Sequence, residues 1–502
     1  MKRCYAIGIG GTGSKCIEAL VHGAAAGLGP QKIALGIVDQ DGSNGNVARV
    51  RETIDLYRDL YRSLRSGDCS LGDSALFRSE IETSPEPIWS PLPEKQSTLA
   101  GHFHRSALQR KGRFLFDALF EDERERRQAL DEGFRGRPAV GAAAMFSAAS
   151  KGEGFWTRLF EDLREAGSAA DIRICVFASI FGGTGAAGFP TITRMIRDIA
   201  ERHRGKVTIG GILSLPYFTF PDADDSAQSN LALAKNFSRA TQQALLYYHS
   251  LLVHSHPGLF NYLYLVGANR PFTLPNLGAG SNGQKNPALL PELLAAVGAL
   301  HLFHRDDQAP TQTRVLRAGH TSAQAVKWED IPRVASNAES HDVRDSFARL
   351  LRFAIAYRSV YRPYLKQSTP RAVANQVWFH NLIAKPGVDL AQQRTQRTLT
   401  TLDGYCSALL QWCRDISDNR GPNDVAVQLF QLGQFAQADA IEMPQDANGI
   451  RRAFDSAVTV EHARGLADVF TFLSSRRVAP DRRGLGIFAD QLFNGCQLYS
   501  GD

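Results

Sequence analysis

Two glycine-rich runs carry the residue types that can hold a phosphate. Ser179-Ile180-Phe181-Gly182-Gly183-Thr184-Gly185-Ala186-Ala187-Gly188 follows the apolar run Ile172 to Ile180 and precedes the helix-like Thr191 to Ile196. A strand, a glycine turn and a helix start in that order turn successive N–H groups toward one anion, and the helix N-terminus adds partial positive charge. An ordinary strand-to-helix turn explains this segment by itself equally well. The N-terminus repeats the pattern: Cys4 to Ile9 is apolar, and Gly8, Gly10 and Gly13 have the spacing of a dinucleotide fingerprint. Lys15 follows, but the G-x-x-x-x-G-K-[ST] spacing is absent, so it reads as a solvated helix residue. A further apolar run, Ile33 to Val38, ends in Asp39-Gln40-Asp41. An acid there can meet a ribose, reach a phosphate-bound cation or cap a turn.

These loops need strands behind them. Apolar runs at Ile33 to Val38, Ile172 to Ile180, Val207 to Leu215 and Phe260 to Val266 alternate with helical patterns at Cys16 to Ala25 (Ser14 its cap), Ala142 to Ser147, Phe155 to Arg164, Pro190 to Glu201, Leu231 to Leu252 and Pro291 to Phe303. That alternation predicts an α/β fold: a doubly wound, mainly parallel, Rossmann-like sheet. Arg49 to Glu132 reads as charged helix with a Pro/Ser surface loop over Ser84 to Pro93, and Gly133 to Gly141 as a third glycine turn. Past Phe303 the texture changes. Arg305 to Ala325 reads as irregular, Val326 to Pro332 as an ordered turn, and Val377 to Ile383 as a strand. Asp342 to Tyr361, Leu390 to Ile416, Val425 to Ala436, Ala463 to Leu473 and Ile487 to Phe493 read as helices. The boundary therefore falls at residues 1–304, including a helix over about 286–304, and 305–502, mostly helical.

Composition narrows the class. The 502 residues, 43% hydrophobic and 22% charged, suit a globular protein of two or three domains. A net charge of +6, with cations interleaved among acids as in Glu121 to Arg127, predicts solvated helix faces and no nucleic-acid stripe. No run reaches the roughly 20 apolar residues of a membrane span, and Met1-Lys2-Arg3 leads into a strand without a signal-peptide core. Seven dispersed cysteines read as packed thiols in a cytoplasm, and His102, His104, His254 and His256 as loop residues without metal-ligand spacing.

Two loops suit a di- or triphosphate, and with this order of elements the chain resembles the tubulin/FtsZ superfamily, most of all its divergent bacterial tubulin-like members. The resemblance implies that Gly182, Gly183, Thr184, Gly185 and Ala186 meet the β- and γ-phosphates, and that Gly10, Gly11, Thr12 and Gly13 line the α/β side. It implies roles for Asp39 in the second loop and Gly141 in the third, and for Asn236 and Asn269 as readers of the base. GTP or GDP is the implied ligand, with Mg2+ as a companion cation. Head-to-tail self-association into filaments is implied, with hydrolysis between subunits and a further protein partner at the C-terminal domain. The catalytic acids would come from Trp328-Glu329-Asp330. The family's Asn-x-Asp-x-x-Asp falls on Ala325, Lys327 and Asp330, so Glu329 and Asp330 are the candidates. Two alternatives stay open: a scaffold that binds nucleotide without hydrolysing it, and an NAD(P)-dependent oxidoreductase using Gly8, Gly10 and Gly13 with Asp39.

Overall fold

Strands form where short apolar runs are buried on both faces, as parallel sheets require. The computed structural model describes residues 2–41, 44–65, 71–92, 98–127, 130, 134, 138–149, 154–165, 171–202, 206–219, 237–254, 258–268, 271–274, 285–320, 325–335, 340–341, 343–418, 426–432, 436–437, 440–441, 446–458, 463–478 and 482–499. Seven strands build the central sheet: β1 (Lys2–Ile9), β2 (Lys32–Val38), β3 (Glu80–Trp89), β4 (Asp171–Ser179), β5 (Lys206–Ser214), β6 (Tyr262–Ala268) and β7 (Arg314–His320). All pairings are parallel, in the order β3-β2-β1-β4-β5-β6-β7. β1 and β4 are neighbours, with Ile7 opposite Val176 and Gly8 opposite Phe177. The chain runs outward from β1 on one side and from β4 on the other. Their carboxyl ends therefore flank the switch point at which open α/β sheets bind ligands.

The helices are α1 (Gly10–Ala25), α2 (Gly45–Arg65), α3 (Arg110–Leu119), α4 (Pro138–Ala149), α5 (Phe155–Glu165), α6 (Gly183–Arg202), α7 (Phe237–His254) and α8 (Leu290–His304). Beyond them lie α9 (Val343–Ala356), α10 (Gln393–Asp418), α11 (Ala447–Ser456), α12 (Leu466–Ser475) and α13 (Leu485–Gly495). α8 is apolar nearly all round and almost wholly buried, which marks a helix through the middle of a protein. The C-terminal region is helical, and its long α10 packs on α2 and α9. No helix among the described residues is long and apolar enough to cross a membrane.

Several local expectations are corrected. α1 starts at Gly10, so Ser14 lies inside it and its hydroxyl donates back to the Gly10 carbonyl, 3.0 Å away. α6 likewise starts at Gly183, with Pro190 internal. Both glycine loops thus run straight into helix. Ser84 to Pro93 is largely strand: β3 is an edge strand, where the missing N–H groups of Pro85 and Pro87 cost no ladder partner, and its register slips between Leu35 and Ile37. Arg314 to His320 is the other edge strand, so the sheet runs past residue 304; its arginines face solvent, which hides the strand pattern. Val377 to Ile383 is helical, a short turn followed by a π-turn. Residues 426–432 form no helix, and Val427 is bridged to Val326. α11 was not foreseen. The six described cysteines are free and buried.

Candidate functional site

The two glycine loops meet. Gly10 has φ +73°, a conformation that L side chains rarely adopt, and a Cβ built on it would stand 3.3 Å from the Gly185 amide nitrogen. No side chain caps the start of α1, whose N-cap is Ile9. Its first N–H groups are therefore left for an outside acceptor, and the dipole there favours an anion. At the start of α6, Ala186 donates its N–H to the Gly182 carbonyl at 3.0 Å. That bond spends the Ala186 donor, so Gly183, Thr184 and Gly185 supply the first-turn N–H groups that lack an intrahelical partner.

The remaining glycines hold the loops in place by close packing. Gly8 and Gly13 face each other: a Cβ on Gly13 would lie 2.6 Å from the Phe177 carbonyl oxygen, and one on Gly8 2.7 Å from that of Gly13. A Cβ on Gly185 would lie 2.8 Å from the Ser179 carbonyl. Gly141 is in the first turn of α4, and a Cβ there would be 2.7 Å from Ala187 of α6 and from Phe134. Gly11 differs, since its nearest neighbours, the side-chain amides of Asn44 and Asn46, are 3.7 Å from a built Cβ.

Those two asparagines were missed in the sequence. They order the loop after β2. Asn44 Oδ1 accepts the Asn46 N–H at 2.9 Å, and Asn46 Oδ1 accepts the Asn286 N–H at 2.8 Å. This couples the first glycine loop to the segment that leads into α8. Asn236 and Asn269, the proposed base readers, lie outside the described residues.

Asp39 ends β2 as expected, buried, and its Oδ1 accepts the Asp41 N–H at 3.2 Å. Burial pushes its carboxyl up to about 7, with the nearby Asp41 charge adding to the rise. The folded protein thus prefers Asp39 protonated. Its contribution to stability is complete below the ordinary carboxylate range, near 3.8, and is lost as pH climbs toward 7. Asp39→Asn should therefore change little at about pH 4 and raise stability above about pH 7 by up to roughly 4 kcal/mol, read from denaturant midpoints at both pH values. A variant no more stable at the higher pH would count against a protonated Asp39.

Behind the loops is a buried charge that the sequence did not foretell. Lys15 is 2% exposed, and its Nζ lies 2.5 Å from Glu292 Oε1 in the first turn of α8, itself 1% exposed. The expectation of a solvated lysine is corrected: α1 is buried on nearly every side, so Lys15 has no route to water. Tyr217 donates its hydroxyl to the same Oε1 at 2.7 Å, and Glu292 Oε2 accepts the Leu289 N–H at 3.0 Å. Thr12 reaches the Tyr217 hydroxyl, and the Tyr217 ring meets the edge of Phe181 at 6.0 Å. Tyr217 therefore touches both glycine loops and the buried helix at once.

The acids beyond α8 sit elsewhere. Glu329 and Asp330 are exposed in a 3-10 turn anchored by Trp328, whose Nε1 donates to the Leu429 carbonyl at 2.8 Å. The Asp330 carboxylate accepts the Lys327 N–H at 2.9 Å, which leaves Glu329 the less engaged of the two. Among the described residues, no three His, Cys, Asp or Glu side chains gather to hold a metal ion.

A family model described as tubulin-like matches residues 116–276. That segment is similar to the tubulin-like family. The match covers about a third of the chain and takes in β4, the second glycine loop, α6, β5 and β6. A search of the curated proteins and of the solved structures returned no match.

Proposed function

We propose that this chain binds a guanine nucleotide, GTP or GDP, with its phosphates between the two glycine loops. Copies then assemble head to tail into filaments with the nucleotide at each contact. The observation that carries the reading is the approach of Gly10 to the Gly185 amide at the sheet's switch point, which brings two glycine-led helix starts onto one anion site. In it, Gly183, Thr184 and Gly185 serve the outer phosphates, and Gly10 and Gly11 the inner ones. Asp39 and Asp41 are acids on the same sheet edge and suit a Mg2+ companion. Glu329 is the acid that would polarise water for the nucleotide of a neighbouring copy, and the helical C-terminal region is where a further protein partner would bind.

Gly11→Val tests the site without dismantling it, because a Cβ there stands at ordinary contact distance, 3.7 Å, from the side-chain amides of Asn44 and Asn46. The variant should keep the parent's circular dichroism and lose GTP affinity by at least about a hundredfold, near 2.7 kcal/mol, in calorimetry. Undiminished affinity would take the nucleotide out of this cleft. A non-hydrolysing scaffold is the second reading, favoured by the capping role of Asp330 and by Ala325 and Lys327 in place of polar family residues. Phosphate release from concentrated protein over hours separates the two.

A further inference from the structure

A cavity of about 690 Å³ opens between α2, α10 and the segment that leads into α8. That is the size of a small-molecule site, and such sites favour the junctions between parts of a chain. Its walls come from both halves of this one: Glu52 from α2, Lys285 from the segment before α8, and Arg358 and Gln411 from the C-terminal region. None of the glycine-loop residues lines it.

Some charges in this wall are already engaged. Arg49 donates from Nε and Nη2 to the Glu18 carboxylate at 3.0 and 2.8 Å. Asp415 accepts the Ala288 N–H and, at 2.7 Å, the Gln411 amide N–H. Others are not. Arg358 is half-buried in the π-turn Tyr357–Tyr361 that continues α9, a type of turn frequent at functional sites. Among the described residues no acceptor meets its guanidinium, none meets the Lys285 ammonium, and no donor meets the Glu52 carboxylate or the Gln411 carbonyl oxygen. The groups left over are therefore two cations, one carboxylate and one amide oxygen. A partly desolvated guanidinium without an acceptor is held at a cost that a bound oxyanion removes, and its planar fork grips two oxygens at once.

We infer that this cavity binds a small organic molecule through its phosphate or carboxylate group. Arg358 supplies the fork and Lys285 the second charge, while Glu52 and Gln411 accept the hydroxyl or amine hydrogens of the same molecule. Arg49 and Asp415, which hold the segment before α8, stand in the same wall, so an occupant joins α2 to α10 across them. The site does not depend on nucleotide at the glycine loops.

Calorimetry on the full chain with citrate, and separately with glucose 6-phosphate, tests this and tells a carboxylate from a phosphate. At least one of the two should bind with a Kd below about 1 mM. Arg358→Ala should weaken that binding at least about tenfold, and Lys285→Ala at least about threefold. Arg358→Lys should recover only part of the loss, since it restores the charge without the fork. In Gly11→Val the affinity should persist. Two probes that both fail to bind at about 10 mM overturn the proposal. So does affinity that survives Arg358→Ala, and so does affinity that is lost only in Gly11→Val, which would put the anion on the glycine loops. Circular dichroism matching the parent's shows that each variant is folded.

Discussion

Glu292→Ala is expected to destabilise the protein by about 3–5 kcal/mol. The substitution leaves the Lys15 ammonium buried with no counter-charge, because Glu292 is its one partner among the described residues. It also strips the Tyr217 hydroxyl and the Leu289 N–H of their acceptor. Each buried group left unsatisfied adds its own desolvation cost. The large figure reflects breaking the pair, not its net worth. Lys15→Met combined with Glu292→Leu should accordingly recover at least about half of the loss, since an apolar pair of similar volume needs no counter-charge. Urea denaturation of the parent, the two single variants and the double variant measures this. Single variants within about 1 kcal/mol of the parent would show that the pair is hydrated in solution.

The second large effect separates two glycines in one turn of helix. Gly13→Ala should cost about 3 kcal/mol or more, because its Cβ would stand 2.6 Å from a backbone oxygen of β4 that cannot rotate away. Gly11→Ala should stay within about 0.5 kcal/mol of the parent, its nearest neighbours being 3.7 Å away. Thermal melts of both variants make the comparison. Equal losses would mean that α1 and β4 are not in the contact described.

This contrast marks how far the sequence could be read. Spacing located the glycine turns because β1, β4 and the helices after them have unbroken apolar patterns. Spacing could not say that Gly13 and Gly185 are there for strand contact while Gly11 has room for a Cβ beside Asn44 and Asn46, since that depends on which elements become neighbours. The edge strands were obscured for a related reason. β3 contains two prolines, tolerated because one side of that edge strand has no partner, and β7 two arginines that are exposed. Lys15 misled because burial belongs to the whole of α1, and its counter-ion arrives from a helix far along the chain. Asn44 and Asn46 belong to no motif in the sequence, and only the fold brings them beside Gly11.

The buried helix α8 is fastened at both ends. Near its start, Arg49 donates to the Asn286 carbonyl at 2.8 Å, and Asp415 of α10 accepts the Ala288 N–H at 3.0 Å. At its finish, the buried Arg173 donates to the Leu302 carbonyl at 2.9 Å, and Lys2 donates to the carbonyls of Phe303 and Arg305. A rod pinned in this way cannot slide along its axis while the sheet stays still, because β1, β4 and α10 each hold a pin. The helix is thereby fastened to the sheet at one end and to α2 and α10 at the other.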